Sequence, residues 1–269
     1  MSLSSLFRSS VAVVASTAAL VAIAGCGSTN SSQSALEEIK SKGEIVVGTE
    51  GTYAPFTYHD SSTNELTGYD VDVIKAIAKE LGVTAKFEEA NFDSLLAGLD
   101  TKKYDTVANE IGTSDERKQK YDFSDPYSYS YGVIVTTKDN NSITSFEDLA
   151  GKKAAETMTS NWNATAQKYG AEIVQINDFS QAVDAITSGR ADATVNDGLA
   201  FLDYMKQKPD ADIKAAVKSE SVASGYLPFR KGSDDLVKAV NDAIAKLQQD
   251  GTLAKISETY FGEDISKAQ

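Results

Sequence analysis

The sequence predicts an α/β protein made of two successive units. Three observations carry this expectation: short β-rich runs alternate with amphipathic helical runs from Glu44 onward, the alternation restarts after "DFSDPY" (Asp122–Tyr127), and a helical tail follows a late strand near Ser224. Strands that alternate with helices assemble into mostly parallel sheets with helices on their faces. A length of 269 residues with 41% apolar content allows two lobes of about 100 residues each.

The elements follow in order. "EIVVGT" from Glu44 reads as a buried strand. In "YDVDVIKAIAKELG", Ile74, Ile77 and Leu81 share one helical face and Gly82 supplies the stop. "TAKFEEA" is a second strand, "FDSLLAGLDTK" a helix that Asp93 caps, and "DTVANEI" a third strand. The chain crosses near Tyr127 to Tyr131 into strand "YGVIVTTK" and a capping-box helix start at Ser145 in "SFED". Strand "KAAET", helix "NWNATAQKYG", strand "EIVQIN", helix "SQAVDAITSG", strand "ADATVND" and helix "GLAFLDYMKQ" complete the second unit. Strand "SGYLPF" then leads to a helix with the stripe Leu236, Val240, Ile244 and Leu247, and "TLAKISETYFG" closes the chain. The tail after about residue 222 is expected to return to the first unit.

Charge and rare residues exclude several chemistries. With 39 acids against 26 bases, the net charge is -13, which repels a nucleic-acid backbone. Cys26 is the only cysteine and His59 the only histidine. Disulfides, zinc-cysteine sites and thiol catalysis are therefore ruled out, and Ser-His-Asp chemistry has little to work with. The N-terminal "VAVVASTAALVAIA" (Val11–Ala24) has the size of a signal-peptide core. It runs through "IAGC" to Cys26 and a polar "GSTNSSQS", which resembles a bacterial lipoprotein signal. An ordinary secretory signal is the alternative. Loss of the leader removes Arg8 and takes the charge from -13 to -14.

In α/β sheets ligands bind beyond the carboxyl ends of strands. The first strand ends in "TEGTYAPF" with Glu50 and Tyr53, Phe92 opens a helix, and the third strand ends in "NEIGTSDER" with Glu110, Gly112 and Arg117. In the second unit "TMTSNW" places Ser160 and Asn161 at a helix start, and "TVND" ends in Asp197. An α-amino acid needs a guanidinium fork and N–H donors for its carboxylate, an acid for its ammonium and a pocket for its side chain. Arg117 with Ser160 suits the first, Asp197 the second, and Tyr53 with Phe92 the third. Each residue also has a structural role open to it: Arg117 can pair with Asp115 or Asp122, the two aromatics can belong to the core, and Asp197 can cap the following helix.

Taken together, "VGTEGTYAPFTY", "LTGYDVDV", "FDSLLAGLDTKKYD", "ANEIGTSDERKQKYDFSDPY", "GRADATVNDGLA" and "KAVNDAIAKLQQDGTL" make the chain from Glu44 to Glu263 resemble the solute-binding proteins of polar amino-acid ABC importers. Its phrases look most like the cystine-binding branch. The resemblance implies a type II periplasmic-binding-protein fold with a two-strand hinge, and a monomer that delivers an amino acid to a membrane permease without a cofactor, metal or bond-making step. It implies that Arg117 grips the α-carboxylate, that Ser160 and Asn161 help hold it, that Asp197 takes the α-ammonium, that Tyr53 and Phe92 sandwich the side chain, and that Glu50 faces the ligand.

The chain departs from that branch at Glu110, where glutamine is usual, and at Gly112, where a hydroxyl residue is usual. Glu50 and Glu110 together favour a ligand with a second positive group, which keeps lysine, arginine, ornithine and, with one acid protonated, glutamine beside cystine. A dehydratase-like enzyme on the same scaffold, with Glu110 as acid or base, is the rival from another class, and a sensor module is a second. The expected organisation is a lipoprotein signal at 1–25, lipidated Cys26 and a tether to 42, a first lobe from 43–128 and 224–269, and a second from 129–223, lipid-anchored outside the cytoplasm.

Overall fold

In the computed structural model, residues 33–268 are described. The expected signal peptide, Cys26 and most of the tether lie outside them. Helix α1 (Ala35–Lys42) starts in a capping box, in which Ser34 and Glu37 satisfy each other's backbone N–H, and it stops at Gly43 with φ 71°. The first lobe continues with β1 (Glu44–Thr49), β2 (Thr52–Tyr53), β3 (Thr57–His59), β4 (Leu66–Thr67), α2 (Tyr69–Leu81), β5 (Thr84–Glu89), α3 (Phe92–Asp100), β6 (Thr106–Val107), α4 (Asp115–Lys120) and β7 (Tyr121–Phe123). The second holds β8 (Ser128–Thr137), β9 (Lys153–Glu156), α5 (Asn161–Lys168), β10 (Glu172–Gln175), α6 (Phe179–Thr187), β11 (Thr194–Asp197), α7 (Gly198–Gln207) and β12 (Ile213–Gly225). The chain ends with β13 (Pro228–Arg230), α8 (Asp234–Gln249) and α9 (Thr252–Phe261).

In the first lobe, β1 lies between β5 and β6, parallel to both. Its carboxyl end and that of β6 therefore emerge side by side. Close packing of α3 on this sheet depends on missing side chains: a Cβ at Gly48 would stand 2.6 Å from the Tyr104 ring and one at Gly98 2.2 Å from it. The stripe Leu236, Val240, Ile244 and Leu247 of α8 shares one buried core with Ile74 and Ile77 of α2, and β13 pairs with β7. This brings the tail against the first lobe.

The two-lobed α/β architecture expected from the sequence is present, with one difference in the second lobe. Parallel pairing there is limited to β9 with β10 and a single bridge from Ala154 to Ala193, while β8 runs antiparallel to both β11 and β12. The cause is the crossing itself. The chain enters the lobe on β8 and leaves it on β12, and the two pair from Ser128 with Gly225 to Thr137 with Ile213, so entry and exit necessarily run in opposite senses.

Three local expectations also shift. Asn91, not Asp93, is the N-cap of α3, and the Asp93 carboxylate is used elsewhere. The helix expected at Ser145 is a single turn of 3-10 helix, Glu147–Leu149. Its N-cap is Phe146, with no side-chain capping bond; Asp148 instead reaches back out of the turn and accepts from the backbone N–H of Thr144 at 2.8 Å and of Ser145 at 3.0 Å. The strand expected over "DTVANEI" is confined to Thr106–Val107. Among the described residues no helix is long and apolar enough to cross a membrane.

Candidate functional site

A cleft of about 1650 Å³ runs between the lobes, lined by Tyr53, Gly112 and Arg117 from the first and by Ser160, Asn161 and Asp197 from the second. A smaller chamber of about 40 Å³ is lined by Glu50, Phe92, Glu156 and Asp178. Tyr53, Glu110, Ser160, Asn161 and Trp162 line both spaces. Every residue singled out from the sequence except Glu50 and Phe92 thus borders the main cleft, and those two border the chamber.

Arg117 rises from α4, whose first turn is capped by Ser114. It is 8% exposed. Nη1 donates to the Gly112 carbonyl at 2.6 Å, and Nη2 donates across the cleft to the Thr159 carbonyl at 2.6 Å. Burial lowers its pKa from the usual value, yet a guanidinium stays charged at any physiological pH. Of its five N–H donors, two are held by these carbonyls, which fixes the fork and leaves the others for an incoming acceptor. Gly112 is closed on by Asn161, since a Cβ there would lie 3.2 Å from Asn161 Cγ.

Opposite stand Ser160 and Asp197, each of them the N-cap of a helix. Ser160 Oγ accepts from the Asn163 N–H at 2.9 Å at the start of α5. Asp197 Oδ1 accepts from the Leu199 N–H at 2.8 Å at the start of α7, and Oδ2 accepts from Ser130 Oγ. Asp197 therefore caps its helix and borders the cleft at once; the two roles considered from sequence are compatible, because a carboxylate has about four acceptor positions. Burial pushes it up to about 6.

The remaining residues divide between chamber and hinge. Glu50 follows β1 and is locked by Asn109, whose Oδ1 accepts its N–H at 2.8 Å and whose Nδ2 donates to its carboxylate at 3.1 Å. Burial pushes it up to about 7 against the opposing effect of that amide. Glu110 is half-buried with φ 49°, an uncommon backbone state for a non-glycine. Its N–H donates to Asp70 Oδ2 at 2.9 Å, and its carboxylate accepts from Ser128 Oγ at 2.7 Å, where β8 begins. Its carboxyl group is thus turned toward the crossing strands. Glu156, Asp178 and Asn196 were not singled out from sequence, although Glu156 closes the strand "KAAE" at the position where parallel strands carry ligand groups.

The match to known proteins agrees with this geometry. Residues 45–263 match the family model described as bacterial extracellular solute-binding proteins, family 3. The chain belongs to this family. Among these solute-binding proteins, the L-cystine-binding protein TcyA of Bacillus subtilis is 47% identical over 256 residues, covering 92% of this chain and 95% of that one. The L-cystine solute receptor of Neisseria gonorrhoeae, in an unliganded open conformation, is 45% identical with a TM-score of 0.59, covering 87% and 100% of the two chains. An ancestral arginine-binding protein bound to arginine is 38% identical with a TM-score of 0.76, covering 82% and 99%. These solute-binding proteins are binders of polar amino acids, and this chain stands near the cystine branch.

The higher structural agreement with the arginine-bound protein, despite lower identity, fits a solute-binding protein whose lobes are closed. Direct contacts across the cleft show the closure. Besides the Arg117 bond, Tyr53 OH donates to Asn196 Oδ1 at 2.8 Å. Asp93 Oδ1 accepts from the Thr159 N–H and Oγ1, both at 2.8 Å, and Oδ2 accepts from the Met158 N–H at 3.2 Å. Hydrogen bonds that exist only in the closed form shift the open–closed equilibrium toward it. Asp93→Ala removes those to Asp93, and for a partly exposed clasp the expected cost is about 1 kcal/mol, or roughly fivefold in affinity. Stopped-flow measurement should place this loss in a faster dissociation rate; an unchanged rate would show that Asp93 contributes nothing to closure.

Proposed function

We propose that this chain is a lipid-anchored, monomeric capture protein, tethered outside the cytoplasm through Cys26, that closes over one polar amino acid and delivers it to an ABC importer. L-cystine is the preferred ligand. The observation that carries this reading is the placement of Arg117 and Asp197 on opposite lobes of one cleft. The free donors of Arg117, with the N-terminus of α5, receive the α-carboxylate. Asp197 receives the α-ammonium, so a single ligand touches both lobes and favours the closed form. No bond in the ligand is made or broken.

Tyr53 and Phe92 flank the ligand side chain and lead it to the chamber. There Glu50 accepts the distal ammonium of cystine, and the distal carboxylate reaches solvent or the Trp162 side chain on the main-cleft side. A thermal-melt panel on the chain from Gly27 tests the reading against cystine, arginine, lysine, ornithine, glutamine, glutamate and histidine. A ligand at 100 times its dissociation constant stabilises by about 2.7 kcal/mol, equivalent to roughly 5 to 10 °C for a protein of this size. A shift with cystine that exceeds the rest supports the cystine assignment, larger shifts with arginine or lysine reassign the ligand within the class, and no shift with any of them sinks the reading.

A further inference from the structure

Glu156 is the last residue of β9 and only 2% exposed. Its Oε1 accepts from the Val195 N–H at 2.6 Å and from Thr194 Oγ1 at 3.4 Å. Oε2 makes no hydrogen bond among the described residues, and the side chain borders the chamber that Glu50 enters from the other lobe. The titratable groups around that chamber are Glu50, Glu110, Asp178, Glu156 and Tyr53, with no lysine, arginine or histidine among its lining residues. Accepting one backbone N–H does not require an acid, because a glutamine carbonyl does it equally well. A carboxylate buried beside other carboxylates is costly unless a cation joins it.

We propose that Glu156 is the second-lobe residue that sets side-chain specificity, accepting the distal cationic group of the ligand on its free oxygen while Glu50 accepts it from the first lobe. This rests on the amino-acid-binding reading above and narrows it to ligands with a positively charged distal end. The division between lobes couples selection to closure, since the second carboxylate reaches the cation only when the lobes meet. A chamber of about 40 Å³ holds an ammonium or guanidinium head, a few water-sized groups in extent. Burial pushes Glu156 up to about 8 and Glu50 up to about 7. At pH 7 Glu156 therefore carries a proton before the ligand arrives, and ion pairing with the cation releases that proton to solvent.

Calorimetry on the full chain at pH 7, in two buffers of different ionisation enthalpy, tests this with L-cystine, L-arginine and L-glutamine. Wild type should release protons on binding cystine or arginine. Glu156→Gln should bind both at least tenfold more weakly and release fewer protons, with glutamine affinity changed less than threefold. Glu50→Gln should show the same selectivity from the opposite wall. Equal losses for all three ligands, or unchanged cystine and arginine affinities, would overturn the proposal while the binding function stands. Should Glu156→Gln fail to fold, wild type decides alone, since cation binding without proton release contradicts the proposal. Wild type that binds no amino acid removes the binding function itself, and the proposal with it.

Discussion

Arg117→Ala should weaken amino-acid binding by about thirtyfold or more and leave the chain folded. The substitution does three things at once: it removes the fork for the ligand carboxylate, frees the Gly112 carbonyl, and breaks the bond to the Thr159 carbonyl that ties the lobes together. A carboxylate left without its charged partner inside a closed cleft costs about 2–5 kcal/mol, which corresponds to roughly thirtyfold to several-thousandfold in affinity. Arg117→Lys separates charge from geometry. It keeps the positive charge but cannot serve the Gly112 carbonyl, the Thr159 carbonyl and a ligand from one planar group, and should fall between wild type and alanine. Circular dichroism and the melting temperature without ligand check that the fold survives, and calorimetry reads the affinity. Wild-type affinity in the alanine variant would place the carboxylate site elsewhere.

The parts of this site that local chemistry determines could be read from the sequence. Gly82 stops α2 in the left-handed conformation as expected, and Ser160 and Asp197 stand where a polar residue precedes a helix. The β1 and β6 ends could be paired on paper because parallel strands leave no choice about which ends coincide. What could not be read depends on the other lobe. Asp93 looks like an N-cap in a local window, but its carboxylate is recruited by Met158 and Thr159, 65 and 66 residues away. Glu110 borders the cleft as its strand-end position suggests, but its positive φ, with its N–H on Asp70, accompanies a carboxylate turned toward Ser128, which no local window shows. Glu156 was hidden for the opposite reason. An acid closing a short strand resembles the start of a turn until the register of β9 against β10 and the bridge to Ala193 bury it.

The second large expectation concerns pH. Without ligand, the melting temperature should fall as pH rises from about 5 to 8, by 5 °C or more. Burial raises Glu50 to about 7, Asp197 to about 6 and Glu156 to about 8. It also raises Asp70 and Glu110 at the hinge, and the charge of Asp70 raises Glu110 further. In the unfolded chain such acids lose their protons near pH 4. Between there and the folded values the native state binds more protons than the unfolded one, so stability drops with rising pH, by about 1.4 kcal/mol per unit for each group. The contribution is complete below the unfolded pKa and is lost as pH passes through the folded value. His59, raised by Glu89, acts in the same direction, because its paired form is lost as pH rises. Asp60, lowered to about 2 by Ser62, loses its contribution only below pH 4 and leaves this window untouched. A flat profile would mean that the lobes open enough to hydrate these acids within the folded chain. A cationic ligand should reduce the fall, since it pairs with the carboxylates that water cannot reach. Glu156→Gln should reduce it too, by removing an acid that burial raises to about 8. On the proposed reading, three of these acids, Glu50, Asp197 and Glu156, both make the ligand-free protein less stable at neutral pH and give a positively charged ligand its hold on the closed form.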